Sequence, residues 1–141
     1  MKIKIALLSL LCLLTAGICK AQTLATTPSG KNPMKFEVSG DTLTVKLEGN
    51  NTTGYTWDYT IKKTKVLNLK NSQYIQSQGV KFISGSGGIQ QYVFYGLKAG
   101  KTKVTFDYAR RFKDKKPESV GVRILEVTVN SDKSLSVKEI D

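Results

Sequence analysis

Thr42-Leu43-Thr44-Val45-Lys46-Leu47 sets leucine, valine and leucine on one side of the chain and threonine, threonine and lysine on the other. Side chains of an extended chain alternate faces with a period of two, so this is a strand with one face in a core and one in water. The pattern recurs in both directions. Upstream, Phe36 and Val38 alternate with polar neighbours, and Ser39-Gly40-Asp41 turns the chain. Downstream, Glu48-Gly49-Asn50-Asn51 breaks the strand, and Tyr55, Trp57, Tyr59 and Ile61 resume the alternation. Val66 to Leu69, Gln91 to Tyr95, Val104-Phe106-Tyr108 and Val120 to Val129 follow, with Leu135, Val137 and Ile140 marking a short edge strand. No stretch carries a helical period. Strands this short, with turn signals about every 8–12 residues, predict an all-β fold: an Ig-like β-sandwich of two antiparallel sheets. Residues 71–84 are irregular. Val122 and Ile124 are out of phase with Leu125, Val127 and Val129, which predicts a bulge near Leu125.

The chain has 141 residues. Lys2 and Lys4, the apolar run Ile5 to Leu14, and small residues up to Ala21 have the layout of a secretory signal peptide over 1–21. Export to a periplasm, a vesicle or the cell exterior is therefore expected. Residues 22–33, with Pro28 and Pro33, read as a flexible leader, and 34–141 as one domain. Cys12 and Cys19 both fall in the signal, so the sandwich is expected to have no disulfide, and Trp57 takes the place of the usual central aromatic. From Gln22 onward there are 19 basic and 11 acidic residues, a net charge of +8. A surface of that sign favours acidic partners and says nothing about fold.

The chain has no histidine, and the mature part has no cysteine. Ser-His-Asp and Cys-His catalytic arrangements cannot be built, and zinc loses its usual ligands. The eleven acids are scattered, and Asp58 and Asp107 read as surface charges on strands. An enzyme is not expected, nor is a metal or cofactor. Binding remains, and on a sandwich it is carried by loops clustered at one end. Three connections qualify: Asn50 to Gly54, Gly85 to Gly88, and the basic segment after Tyr108. In Ig topology they are the B–C, D–E and F–G loops.

Asn50-Asn51-Thr52-Thr53-Gly54-Tyr55-Thr56-Trp57, Gly85-Ser86-Gly87-Gly88 and Tyr108-Ala109-Arg110-Arg111-Phe112, in that order, resemble the three binding loops of chagasin-type inhibitors of papain-like cysteine proteases. That family carries Asn-Pro-Thr-Thr-Gly before an aromatic and Trp, then Gly-x-Gly-Gly, then Arg-Pro-Trp or a close variant. The resemblance spans about Met34 to Val129. It implies a reversible, tight-binding inhibitor that blocks the protease cleft. The contacts would be Asn51, Thr52, Thr53, Gly54 and Tyr55 from the first loop, Gly85, Gly87 and Gly88 from the second, and Arg110, Arg111 and Phe112 from the third. The partner would be a papain-like (clan CA) cysteine protease, with no nucleic acid, no stable membrane insertion and a monomeric inhibitor. Two departures stand out. Asn51 replaces the family's proline, which removes a rigid residue, and Arg111-Phe112 replaces Pro-Trp.

Two other readings make distinct predictions. A secreted adhesion or carbohydrate-binding module would display Tyr55, Tyr92, Tyr95 and Phe112 as an exposed platform. A polyanion binder would use Arg110, Arg111, Lys113, Lys115 and Lys116, with steep salt dependence. Asn50 and Asn51 each open an N-glycosylation sequon, and a glycan there would obstruct the first loop.

Overall fold

The computed structural model describes residues 25–26, 34–77 and 85–140. The predicted signal segment and most of the predicted leader lie outside the described residues. The strands are β1 (Ala25–Thr26), β2 (Met34–Ser39), β3 (Thr42–Gly49), β4 (Tyr55–Ile61), β5 (Leu67–Gln76), β6 (Gly88–Gly96), β7 (Gly100–Arg110), β8 (Glu118–Val129) and β9 (Leu135–Ile140). One sheet has the order β1-β2-β3-β6-β5 and the other β4-β7-β8-β9. Every pairing is antiparallel. Strands β2, β3, β6 and β5 reproduce the A-B-E-D sheet of an Ig domain, and β4, β7 and β8 its C-F-G sheet. The protein is an all-β, Ig-like sandwich, and its described residues contain no cysteine. The only helical element among them is a single 3-10 turn at Asn51–Thr53.

The period-two residues build the core. Leu43, Val45 and Leu47 of β3 and Phe94 of β6 face Val104 and Phe106 of β7 and Leu125 and Val127 of β8, all fully buried. The centre is aromatic. The Phe106 ring lies 5.7 Å from Tyr92 and 6.1 Å from Phe94, and Tyr59 packs 5.1 Å from Tyr92. Trp57 is buried too, but against Tyr108 at the end where β3 hands over to β4. The centre of the core belongs to Phe94 and Phe106 instead.

Two sequence expectations shift. Residues 67–76 form one continuous strand, β5, with a register shift between Leu69 and Asn71. Its irregular alternation follows from an edge position with mostly exposed side chains. The bulge in β8 is not at Leu125, where pairing with Val104 keeps register. It falls at Val120, between the pairs Tyr108–Gly121 and Ala109–Ser119. The apparent phase change arises because Val122 faces solvent, 53% exposed, while Leu125, Val127 and Val129 face the core.

Tyr92 is 3% exposed, and its hydroxyl donates to the Trp57 carbonyl at 2.9 Å, tying one sheet to the other. Burial raises its pKa well above the ordinary 10.0, with Asp58 adding to the shift. The unfolded chain ionises first, so this contribution to stability is whole below pH 10 and is lost as pH rises beyond it. Chemical denaturation across alkaline pH is expected to show that fall. Tyr92→Phe should cost about 1 kcal/mol at neutral pH and flatten the alkaline slope.

Candidate functional site

Strands β3, β5 and β7 all run toward one end of the sandwich, so the β3–β4, β5–β6 and β7–β8 connections meet there. Hydrogen bonds centred on Asn50 order the first loop and tie it to the described residues beside it. The Asn50 Oδ1 caps the 3-10 turn, accepting from the Thr52 amide at 3.1 Å and the Thr52 hydroxyl at 2.6 Å. The Asn50 carbonyl accepts from the Thr53 amide at 3.2 Å and hydroxyl at 2.6 Å. Gly54 closes the turn at φ +82°, a left-handed conformation that residues with a Cβ resist. The rigidity that proline gives this loop in the family motif is supplied here by side-chain capping.

Asn50 also reaches the neighbouring loops. Its Nδ2 donates to the Gly85 carbonyl at 2.8 Å, and its backbone amide donates to the Tyr108 hydroxyl at 2.9 Å. The amide nitrogen of the first sequon is therefore engaged within the loop cluster. A groove of about 440 Å³ runs between the first and second loops, lined by Gly49, Asn50, Gly87, Gly88 and Tyr108 among others. The base of the second loop is pinned by the Ser77 amide donating to the Gly87 carbonyl at 3.0 Å. Gly88 pairs with both Gly49 and Gln76. A Cβ there would sit 2.5 Å from the Tyr74 ring and 2.6 Å from the Ile75 carbonyl oxygen. Because one of those neighbours is backbone, Gly88→Ala is expected to destabilise the fold by about 1–3 kcal/mol and to displace the second loop. A thermal melt beside amide hydrogen exchange of the second loop would read both effects.

The third loop splits its two arginines between different tasks. Arg110 lies over the Tyr55 ring at 4.7 Å and donates to the Thr53 carbonyl at 2.8 Å. It thus ties the third loop to the tip of the first. Tyr55 in turn donates to Glu118 at 3.1 Å, and partial desolvation followed by that carboxylate raises its pKa. Arg111 folds back onto the outer face of the sheet. It donates to the Thr56 carbonyl at 3.2 Å and pairs with Asp107 at 3.2 Å and Asp58 at 3.6 Å. Asp58 and Asp107 stand directly opposite one another on β4 and β7, an arrangement of like charges that costs stability. Arg111 offsets it, and Ser119 donates to Asp107 from the other side. The two acids are surface charges on strands, as read from sequence, and through Arg111 they also anchor the third loop. Phe112, 45% exposed, projects from that loop.

The family model for the chagasin family of peptidase inhibitors matches residues 38–127, a span that holds all three loops. The chain belongs to that family. Among solved structures, a cysteine protease inhibitor of Entamoeba histolytica is similar, at 22% identity and a TM-score of 0.52, over 60% of this chain and 75% of that one. At that identity the likeness speaks for the fold. No curated protein matches.

In this chagasin-family protein the sequence-predicted residues Asn51, Thr52, Thr53, Gly54, Tyr55, Gly85, Gly87, Gly88, Arg110, Arg111 and Phe112 all lie at one end of the sandwich. Thr52, Thr53, Gly54, Gly85 and Phe112 are exposed; Gly88 is buried at the root of its loop. The sequence reading passed over Asn50, Tyr108, Glu118 and Asp107 as site residues. Asn50 had a usable signal, a capping side chain two residues before Thr52. The rest depend on pairing between distant strands. The aromatics of the carbohydrate-module reading do not share a surface: Tyr92 is in the core, Tyr95 pairs with Thr42 far from the loops, and Tyr55 lies under Arg110. Among the described residues no group of His, Cys, Asp or Glu is arranged to hold a metal.

Proposed function

We propose that this protein inhibits papain-like (clan CA) cysteine proteases by lodging its three loops reversibly in the active-site cleft. Family membership supports the protease-inhibitor class. The observation that carries the cleft-blocking reading is the direct linkage of the loops into one exposed edge, Asn50 to Gly85 and Arg110 to Thr53. Association is tighter when the binding surface is ordered beforehand, because less conformational freedom is lost on contact. Thr52 and Thr53 form the leading tip, next to the protease's catalytic cysteine. The capped 3-10 turn holds its carbonyls in internal hydrogen bonds and away from the extended form a protease cleaves. Gly85 and Gly87 let backbone approach one wall of the cleft, and Phe112 meets the other, as aromatic anchors commonly do. Arg110 holds the first and third loops in register, and Arg111 fixes the base of the third. The protein acts as a monomer after export.

Titrating papain with the purified protein tests this. The expected result is loss of activity in proportion to inhibitor up to equivalence, recovery on dilution, and intact inhibitor by mass spectrometry. Full activity of papain and of a panel of related cysteine proteases at saturating inhibitor would overturn the reading.

A further inference from the structure

Much of the positive charge of this protein gathers at the end of the sandwich opposite the three loops. Residues 59–106 contain eight lysines and no aspartate or glutamate. From Gln22 onward, the remaining 11 basic and 11 acidic residues cancel, so this one stretch accounts for the whole net charge of +8. The basic F–G loop falls in the balanced part, where Asp58, Asp107, Asp114 and Glu118 offset it.

Six of the eight lysines come together at the opposite end of the sandwich. Lys62, Lys63 and Lys65 occupy the β4–β5 turn, and Lys98, Lys101 and Lys103 the β6–β7 turn and the start of β7; all six are exposed. The two segments touch. The Lys62 amide donates to the Lys103 carbonyl at 2.9 Å, the Lys63 amide to the Thr102 hydroxyl at 2.9 Å, and the Leu97 amide to the Val66 carbonyl at 2.8 Å. A shallow depression of about 170 Å³ lies among Lys62, Lys63, Lys101 and Lys103. Its one acid, Glu126, is shared between Lys101 at 3.6 Å and Lys138 at 3.7 Å. The other acids at this end, Asp41 and Asp132, sit in the β2–β3 and β8–β9 turns, the latter engaged by Ser134. Leu97, 39% exposed, stands at the tip of the β6–β7 turn among the lysines.

We propose that this corner is a docking surface for an anionic lipid bilayer, holding the protein at a membrane with its inhibitory loops facing away. A cluster of four to eight basic residues is the usual footprint of attraction to anionic headgroups. The charges are all lysine ammonium groups, which suit a diffuse charged surface more than paired recognition of one oxyanion. The exposed Leu97 on the β6–β7 turn beside the lysines fits shallow contact with the headgroup region. Base-stacking or sugar-stacking partners call for exposed aromatics, and the exposed aromatic among the described residues, Phe112, lies at the far end. Because β4 and β7 run the length of the sandwich between the two ends, membrane and protease contacts do not compete. No helix among the described residues is long and apolar enough to cross a membrane, and this contact is peripheral.

Co-sedimentation with vesicles of phosphatidylglycerol in phosphatidylcholine, beside phosphatidylcholine alone, tests the proposal at low and physiological salt. Binding is expected to the anionic vesicles, weaker as salt rises. It should fall by about fivefold for each lysine removed in a Lys62→Gln, Lys63→Gln, Lys98→Gln, Lys101→Gln variant whose melting temperature and papain inhibition match the wild type. A Lys113→Gln, Lys115→Gln, Lys116→Gln variant should bind vesicles as the wild type does. Undiminished vesicle binding by the Lys62→Gln, Lys63→Gln, Lys98→Gln, Lys101→Gln variant, equal loss in the F–G variant, or absence of binding to anionic vesicles at low salt would each overturn the proposal. Retention on immobilised sulfated polysaccharide without vesicle binding would also overturn it, in favour of a polysaccharide ligand. Inhibition that disappears on the vesicle surface would overturn the orientation. The vesicle-binding outcomes do not depend on whether the loops inhibit papain; the orientation alone rests on the proposed inhibition.

Discussion

Thr53→Arg is expected to abolish inhibition while leaving the protein folded. Thr53 is exposed at the end of the 3-10 turn, and its hydroxyl donates only to the Asn50 carbonyl within the same loop. Losing that bond costs about 1 kcal/mol of stability, a small shift in a thermal melt. In a protease cleft the same position would receive a long cation with no acceptor prepared for it. Burying an unpaired charge costs about 3–5 kcal/mol, so the inhibition constant should rise by roughly 10²–10³-fold or more. A tight-binding assay with papain, run beside a melt, separates loss of contact from loss of fold. Inhibition that survives the substitution would move the principal contact to Phe112 and the third loop.

Phe106→Ala is expected to have the largest effect on stability, a loss of about 3–5 kcal/mol. Phe106 is fully buried on β7, the strand paired on one side with β4 and on the other with β8. Its ring meets Tyr92 and Phe94 from the facing sheet, so truncation opens a cavity between the two layers. Surrounding strands are held by backbone ladders and cannot collapse into it. For a domain whose total stability is on the order of 5–15 kcal/mol, the variant should unfold at much lower urea concentration. Inhibition per folded molecule should remain, because the residue lies away from the loops. A variant that loses inhibition but not stability would show that core and loops are coupled more closely than these contacts imply.

Much of this architecture was legible beforehand because alternation is a local property. Leu43, Val45 and Leu47 face inward for the reason their spacing implied, and so do Val104 and Phe106. The three loops could be assigned to one end because an antiparallel sandwich places every second connection there. The reading failed where a strand had no buried face to advertise it. Residues 71–76 belong to an edge strand, and their side chains are mostly exposed. The bulge was misplaced for a related reason: exposed Val120 and Val122 look like core residues when only their type is known.

The sequence by itself determined the all-β class, the Ig-like layering and the family, since these rest on period-two patterning and on loop motifs contiguous in the chain. It also determined that the chain has no histidine and that its two cysteines, Cys12 and Cys19, precede the strands. The tertiary structure decided how the loops are held and where the charge acts. Asn50 reaches Gly85 across 35 positions, Arg110 reaches Thr53 across 57, and Arg111 reaches Thr56 across 55. Likewise, Lys62 and Lys103 become neighbours only when β4 pairs with β7. The physical reason is common to all of them. Strand pairing joins residues by register across the sheet, and a list of residues in chain order does not carry that register.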